Sequence, residues 1–235
     1  MEPTTVLIDS DDLTVAFEGQ PVLDRVSLGI KRGEFIGIIG PNGAGKTTLL
    51  KALLGLQPID SGTIITNKKA SIHYVPQRGT LYNGIVPMSV VEVVQLEARS
   101  ADAAITALHS VGLETVAHKR FNELSGGQQQ RVIIAKALAA KTDILFLDEP
   151  TTGIDQQSQT EFFSLLKTLQ KKDITIVMVS HEVETVLSLV TRVVCLNRTV
   201  LYDGSPEHFE ADEYFPSFYK ERHIRLHHHH GDQHA

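Results

Sequence analysis

Phe35-Ile36-Gly37-Ile38-Ile39 runs straight into Gly40-Pro41-Asn42-Gly43-Ala44-Gly45-Lys46-Thr47, and no other junction constrains the fold as much. An unbroken apolar run of this length suits a strand buried on both faces. Such a strand belongs to a mostly parallel sheet covered by helices. The eight residues after it match the pattern G-x-x-x-x-G-K-[ST]. Lys46 to Leu54 then has helical character, with Gly55 placed to end it. Glycines in such a loop let backbone N–H groups converge on phosphate oxygens, and the helix adds its N-terminal dipole. The pattern places Lys46 to reach the β- and γ-phosphates of a nucleotide and Thr47 to offer a hydroxyl to Mg²⁺.

The remaining segments fill in an α/β architecture. Leu13 to Phe17 alternates apolar and polar residues, Glu18-Gly19-Gln20-Pro21 turns the chain, and Val22 to Ile30 alternates again. These predict an N-terminal antiparallel β subdomain. Ile144 to Leu147 and Ile174 to Val179 are two further buried-strand runs, with helical stretches at about 156–170 and 183–190. Ser89 to Arg99, Asp102 to Val111 and Gly126 to Ala140 read as helices with no buried strand among them. The expected fold is therefore a P-loop NTPase core of mostly parallel sheet, an N-terminal antiparallel β subdomain, and a helical subdomain inserted at about residues 78–140. Residues 1–208 form the expected domain, and residues 209–235 a polar, histidine-rich tail.

Bulk properties narrow the function classes. A chain of 235 residues with 42% hydrophobic and 21% charged residues can bury a full core. A net charge of −6 argues against bulk nucleic-acid binding. Cys195 is the single cysteine, which excludes an intrachain disulfide and reads as a small buried strand residue. No apolar run approaches the roughly 18–20 residues that span a bilayer, and Met1 to Thr5 has no signal-peptide character. The chain is expected in the cytosol, carried to a membrane only by a partner.

Two further motifs carry chemistry. Asp148-Glu149-Pro150 follows the buried run at 144–147, at the strand's carboxyl end where α/β sheets bind ligands. Asp148 is placed to support Mg²⁺, and Glu149 to face an attacking water as general base. Leu124-Ser125-Gly126-Gly127-Gln128 is a second glycine-rich stretch, and it opens the helix that runs to Ala140. Such a helix start is a second anion site.

With these motifs in place, the chain resembles the ATPase subunit of ATP-binding cassette transporters over nearly its whole length. The loop at 40–47 corresponds to the family's Walker A motif, Ile144 to Glu149 to its Walker B, and Leu124 to Gln128 to its signature. The resemblance implies a nucleotide set running from Gly40 through Thr48, with Phe17 stacking on adenine. It implies that Gln77 approaches Mg²⁺ and the attacking water, that His181 contacts the γ-phosphate, and that Asp155 lies at a dimer seam. Mg²⁺ is then held through Thr47, Gln77 and Asp148. It further implies a head-to-tail homodimer in which each signature meets the partner's ATP. An integral-membrane permease would dock near Arg78 to Val94, and an extracytoplasmic metal-binding protein would deliver the substrate. The protein would sit peripherally on the cytoplasmic face of the inner membrane and bind no nucleic acid.

The stretches Ile72 to Arg78 and Glu149 to Asp155 look like the zinc and manganese importer branch, with the iron-chelate branch as the nearest competitor. His223, His227, His228, His229, His230 and His234 add imidazoles that suit Zn²⁺, as a metal-sensing or buffering tail or as a solvated tail of no function. A non-transport cassette ATPase is the alternative from another class, disfavoured by the absence of a long coiled-coil or second-cassette insertion. A metal-binding regulator that uses ATP only as a switch is the third.

Overall fold

A computed structural model describes residues 5–77 and 87–209 of the chain. Strands β1 (Val6–Phe17) and β2 (Gln20–Lys31) form a hairpin in which Phe17 pairs with Gln20. Glu18 and Gly19 both take positive φ at its tip, the two-residue turn whose twist matches a right-handed hairpin. Strand β4 (Ser61–Thr66) joins the other edge, giving an antiparallel sheet ordered β2-β1-β4.

The second sheet has six strands in the order β5-β6-β7-β3-β8-β9. These are β3 (Phe35–Ile39), β5 (Ile72–Val75), β6 (Ile144–Asp148), β7 (Thr175–Val179), β8 (Arg192–Asn197) and β9 (Thr199–Gly204). The first five run parallel, and β9 closes one edge antiparallel to β8. Every residue of β3, β6 and β7 is buried. Their side chains alternate between two cores. Phe35, Ile39, Leu145, Leu147, Ile176 and Met178 face the helices α4 (Gly126–Ala139), α5 (Gln156–Gln170) and α6 (Val183–Leu187). Ile36, Ile38, Ile144, Phe146, Val177 and Val179 face α1 (Lys46–Leu53) and the antiparallel sheet. This two-sided burial is what a continuous apolar run signals.

The parallel sheet and its antiparallel companion match the expected fold class; β8 holds Cys195 in a strand as expected, and three strands add to the sequence reading. β4, β5 and β9 carry polar residues or lie at the sheet edges, so their periodicity is weak. Cys195 is buried in β8, where burial pushes its thiol up to about 12. Between β5 and β6 lie α2 (Val90–Gln95), α3 (Ala101–Ser110) and α4, packed on one another. Ser89 and Ser100 cap the first two by accepting from the Glu92 and Ala103 amides. α2 ends at Gln95, short of the expected Arg99. Among the described residues no helix is long and apolar enough to cross a membrane.

Because β3, β6 and β7 are parallel neighbours, Ile38 and Asp148 both lie in register with Val179. The loops leaving all three strands emerge side by side at one edge of the sheet. Chemistry collects there.

Candidate active site

The loop from Gly40 to Gly45 wraps the start of α1. Gly40 has φ 156°, and a side chain there would meet the Leu196 carbonyl at 2.1 Å. Gly45 caps α1 with φ 93°, and a Cβ there would strike the Val22 carbonyl at 2.7 Å. Only glycine fits both positions. Gly43 faces open space. The N–H groups of Gly43 and Gly45 take part in no hydrogen bond among the described residues, so they are free to meet an anion.

Lys46 is 6% exposed. Its Nζ donates to the carbonyls of Gly40 at 2.9 Å and Pro41 at 3.0 Å. Burial lowers its pKa, against the opposing charges of Glu149 and Asp148. The loop borders a cavity of ≈ 400 Å³ that Phe17, Val22, Asn42 to Thr48 and Glu149 line. Phe17 ends β1 at the cavity's edge with 47% of its surface exposed. Val22, unmarked in the sequence, contributes an apolar wall beside it.

Behind the loop, the Thr47 hydroxyl donates to Asp148 Oδ1 at 3.0 Å, and the Tyr74 hydroxyl lies 3.4 Å from Oδ2. Asp148 is 3% exposed, and burial raises its pKa. The hydrogen bond from Thr47 works against that rise, and the charge of Glu149 adds to it. A buried carboxylate beside a hydroxyl is an oxygen donor set of the kind a hard dication takes. These residues therefore fit Mg²⁺.

Glu149 turns away from its neighbour. Its φ of 46° lies in the left-handed region, while its N–H still donates to the Val179 carbonyl at 3.0 Å. The side chain is a meeting point. Gln77 Nε2 donates to Oε2 at 3.0 Å, and the Thr152 hydroxyl donates to the same oxygen at 3.3 Å. His181 Nδ1 lies 3.5 Å from Oε1. The structure thus brings Gln77, Glu149 and His181 together beside the loop. Thr152 is an addition that no sequence signal marked.

Residues 124–128 lie elsewhere and line no part of this cavity. Ser125 caps α4 through a reciprocal pair: Gln128 N–H donates to Ser125 Oγ at 3.3 Å, and Ser125 N–H donates to Gln128 Oε1 at 3.0 Å. The N–H groups of Gly126 and Gly127 enter no hydrogen bond among the described residues. Leu124, just before, is buried. Gly127 sits so close to α5 that a Cβ there would lie 2.6 Å from Ser158 Cβ. Asp155 caps α5, accepting from the Ser158 N–H at 3.0 Å. The tail histidines His223, His227, His228, His229, His230 and His234 lie outside the described residues, as do residues 78–86 of the expected docking segment.

Residues 23–152 match the family model described as ABC transporter. The zinc import ATP-binding protein ZnuC of Pseudomonas savastanoi pv. phaseolicola is 40% identical over 233 residues, covering 97% of this chain and 88% of that protein. The protein of the same name from Marinobacter nauticus is 40% identical over 213 residues, covering 90% and 82%. The chain belongs to the ABC transporter family. Solved structures agree with an ABC fold. An ABC transporter of metal-chelate type, in an inward-facing conformation, gives a TM-score of 0.81 at 25% identity and covers 92% of this chain and 90% of its own. A dimeric ATP-binding cassette in a post-hydrolysis state with ADP and phosphate gives 0.70 at 27% identity, covering 86% and 100%.

Proposed function

We propose that this chain is the ATP-binding and ATP-hydrolysing subunit of a membrane importer for zinc. The observation that carries the reading is the convergence of Gln77, Glu149 and His181 at the edge of the glycine-loop cavity. The 40% identity to zinc import ATP-binding proteins carries the choice of substrate over the iron-chelate alternative.

On this reading the free amides of the loop and the start of α1 hold the phosphates, and Phe17 covers the adenine. Lys46 exchanges the carbonyls of Gly40 and Pro41 for phosphate oxygens. Thr47 and Asp148, with Gln77, would hold Mg²⁺, which when bound neutralises charge on the β- and γ-phosphates. The Glu149 oxygens have different tasks. Oε2 is occupied by Gln77 and Thr152, so Oε1, facing His181, is the atom that accepts the proton of the attacking water. That water's oxygen bonds to the γ-phosphorus as the bond to ADP breaks, and His181 steadies the charge on the departing phosphate.

The amides of Gly126 and Gly127 serve the ATP of a second copy, with Ser125, and Asp155 lies at the seam. ATP would then join two chains head to tail, and hydrolysis would let them part. The pair works on a permease from the cytoplasmic face of the inner membrane, and an extracytoplasmic protein supplies the metal. Glu149→Gln is expected to keep ATP binding, slow turnover by about 10²–10⁴-fold, and elute as a stable dimer with ATP and Mg²⁺. Monomer under those conditions would count against the head-to-tail reading. Cells relying on this variant are expected to lose zinc accumulation and keep iron-chelate uptake, and the opposite result moves the substrate to the other branch.

The six tail histidines are proposed as zinc ligands, since imidazole suits this metal. Zinc titration of the intact and tail-deleted proteins is expected to differ in stoichiometry, and equal stoichiometry removes the idea.

A further inference from the structure

Tyr74 stands three residues before Gln77 on β5, next to the strand that ends in Asp148. It pairs with Phe146, two residues short of the carboxylate. Its ring packs against the core beneath α1 and, with Leu53, Ile64 and Ile72, walls a cavity of ≈ 500 Å³ away from the phosphate loop. The ring is fixed by that packing, and its hydroxyl is delivered to Asp148 Oδ2. We infer that Tyr74 is a positioning residue for the metal site, holding Asp148 in the orientation from which it supports Mg²⁺.

The division of oxygens is the argument. Thr47 donates to Oδ1 and must present its own oxygen to the metal. Tyr74 donates to the other oxygen, Oδ2, and has no other task at the site. One donor on each oxygen fixes the plane of the carboxylate. A buried carboxylate that loses a donor keeps the cost of burial and gains freedom to rotate. At 3.4 Å the bond is long for two oxygens, and such bonds commonly tighten when reactants are in place. A phenylalanine would fill the same space, so packing alone does not call for the hydroxyl.

The inference rests on the reading that Thr47 and Asp148 hold the metal, and the test separates the two. Mn²⁺ binding to the ATP complexes of the natural chain, Tyr74→Phe and Asp148→Asn is measured by the loss of the free-ion paramagnetic signal. Thermal melts without metal check that Tyr74→Phe, which keeps the ring, stays folded. Tyr74→Phe is expected to weaken Mn²⁺ binding by about tenfold and leave metal-free ATP affinity unchanged. Its hydrolysis is expected to recover as Mg²⁺ is raised. Natural Mn²⁺ affinity in Tyr74→Phe, with weak binding in Asp148→Asn, would overturn the role of Tyr74 alone. Natural affinity in both variants would overturn the metal reading as well.

Discussion

At the residue scale, Asp148 and Glu149 are consecutive acids with opposite surroundings. Asp148 is buried, and burial holds its pKa above the ordinary 3.8 despite the bond from Thr47. Glu149 is redirected by its left-handed backbone to the edge of the cavity. A raised folded-state pKa means that folding disfavours the charged form. The sign then follows. The penalty is absent below the unfolded value near 3.8 and fully present once pH exceeds the folded value. Asp148→Asn is therefore expected to melt higher than the natural chain at neutral pH without metal, by a few degrees for a gain of about 1 kcal/mol. The difference should shrink as pH falls toward 4, and it should reverse when Mg²⁺ and ATP stabilise the natural chain more than the variant. A pH-independent difference in melting scans would refute the assignment of the burial penalty to this carboxylate. The sequence placed the two acids at the strand's end, but their divergence depends on a single φ and could not be read there. Thr152 and Val22 were equally silent, because a lone hydroxyl in a turn and a lone valine in a strand carry no pattern.

At the scale of elements, α4 and α5 begin with the same device. Ser125 and Asp155 each accept from the N–H three residues on, and Gln129 and Gln159 each donate back to the two carbonyls five and eight residues before them. The two starts meet where Gly127 lies against Ser158, and Arg131 pairs with Glu161 one turn further along. Gly127→Ala would drive its methyl into Ser158, a clash expected to cost about 1–3 kcal/mol. Ser158→Gly removes the obstacle at about 0.5 kcal/mol of helix propensity. A double-mutant cycle in urea is expected to show the pair more stable than the sum of its single changes by about 1 kcal/mol. Strict additivity would mean that the close approach is relieved elsewhere. The helix starts were legible near 126 and 156, the first from its glycines and the second from its helical pattern. The contact between them was not, since it joins segments some thirty residues apart. β5 escaped notice for a related reason: Ile72 to Val75 is half-buried at a sheet edge, so Ile-His-Tyr-Val shows no clean run.

For the whole molecule, the decisive feature is that one chain holds two separate sets of backbone donors unpaired among the described residues. Gly43 and Gly45 open onto the cavity, whereas Gly126 and Gly127 lie outside its lining. If each set completes the other's site across a two-fold pair, the sites are composite and isologous. Mixing tests this directly. Lys46→Ala disables a chain's own phosphate loop, and Ser125→Arg blocks only what it offers its partner. Each variant alone is expected to show negligible turnover, because any pair it forms has both sites defective, and Ser125→Arg should still bind ATP nearly as well as the natural chain. In the mixed dimer one site carries both defects. The other pairs an intact loop with an intact helix start. Random mixing should then restore turnover to about a quarter of the natural level, since half the dimers are mixed and each has one of two sites. If each chain completed its own site, every site in the mixture would contain a defect. ATPase activity that stayed negligible after mixing, with dimers confirmed by sizing, would place both donor sets in service of the same chain's nucleotide.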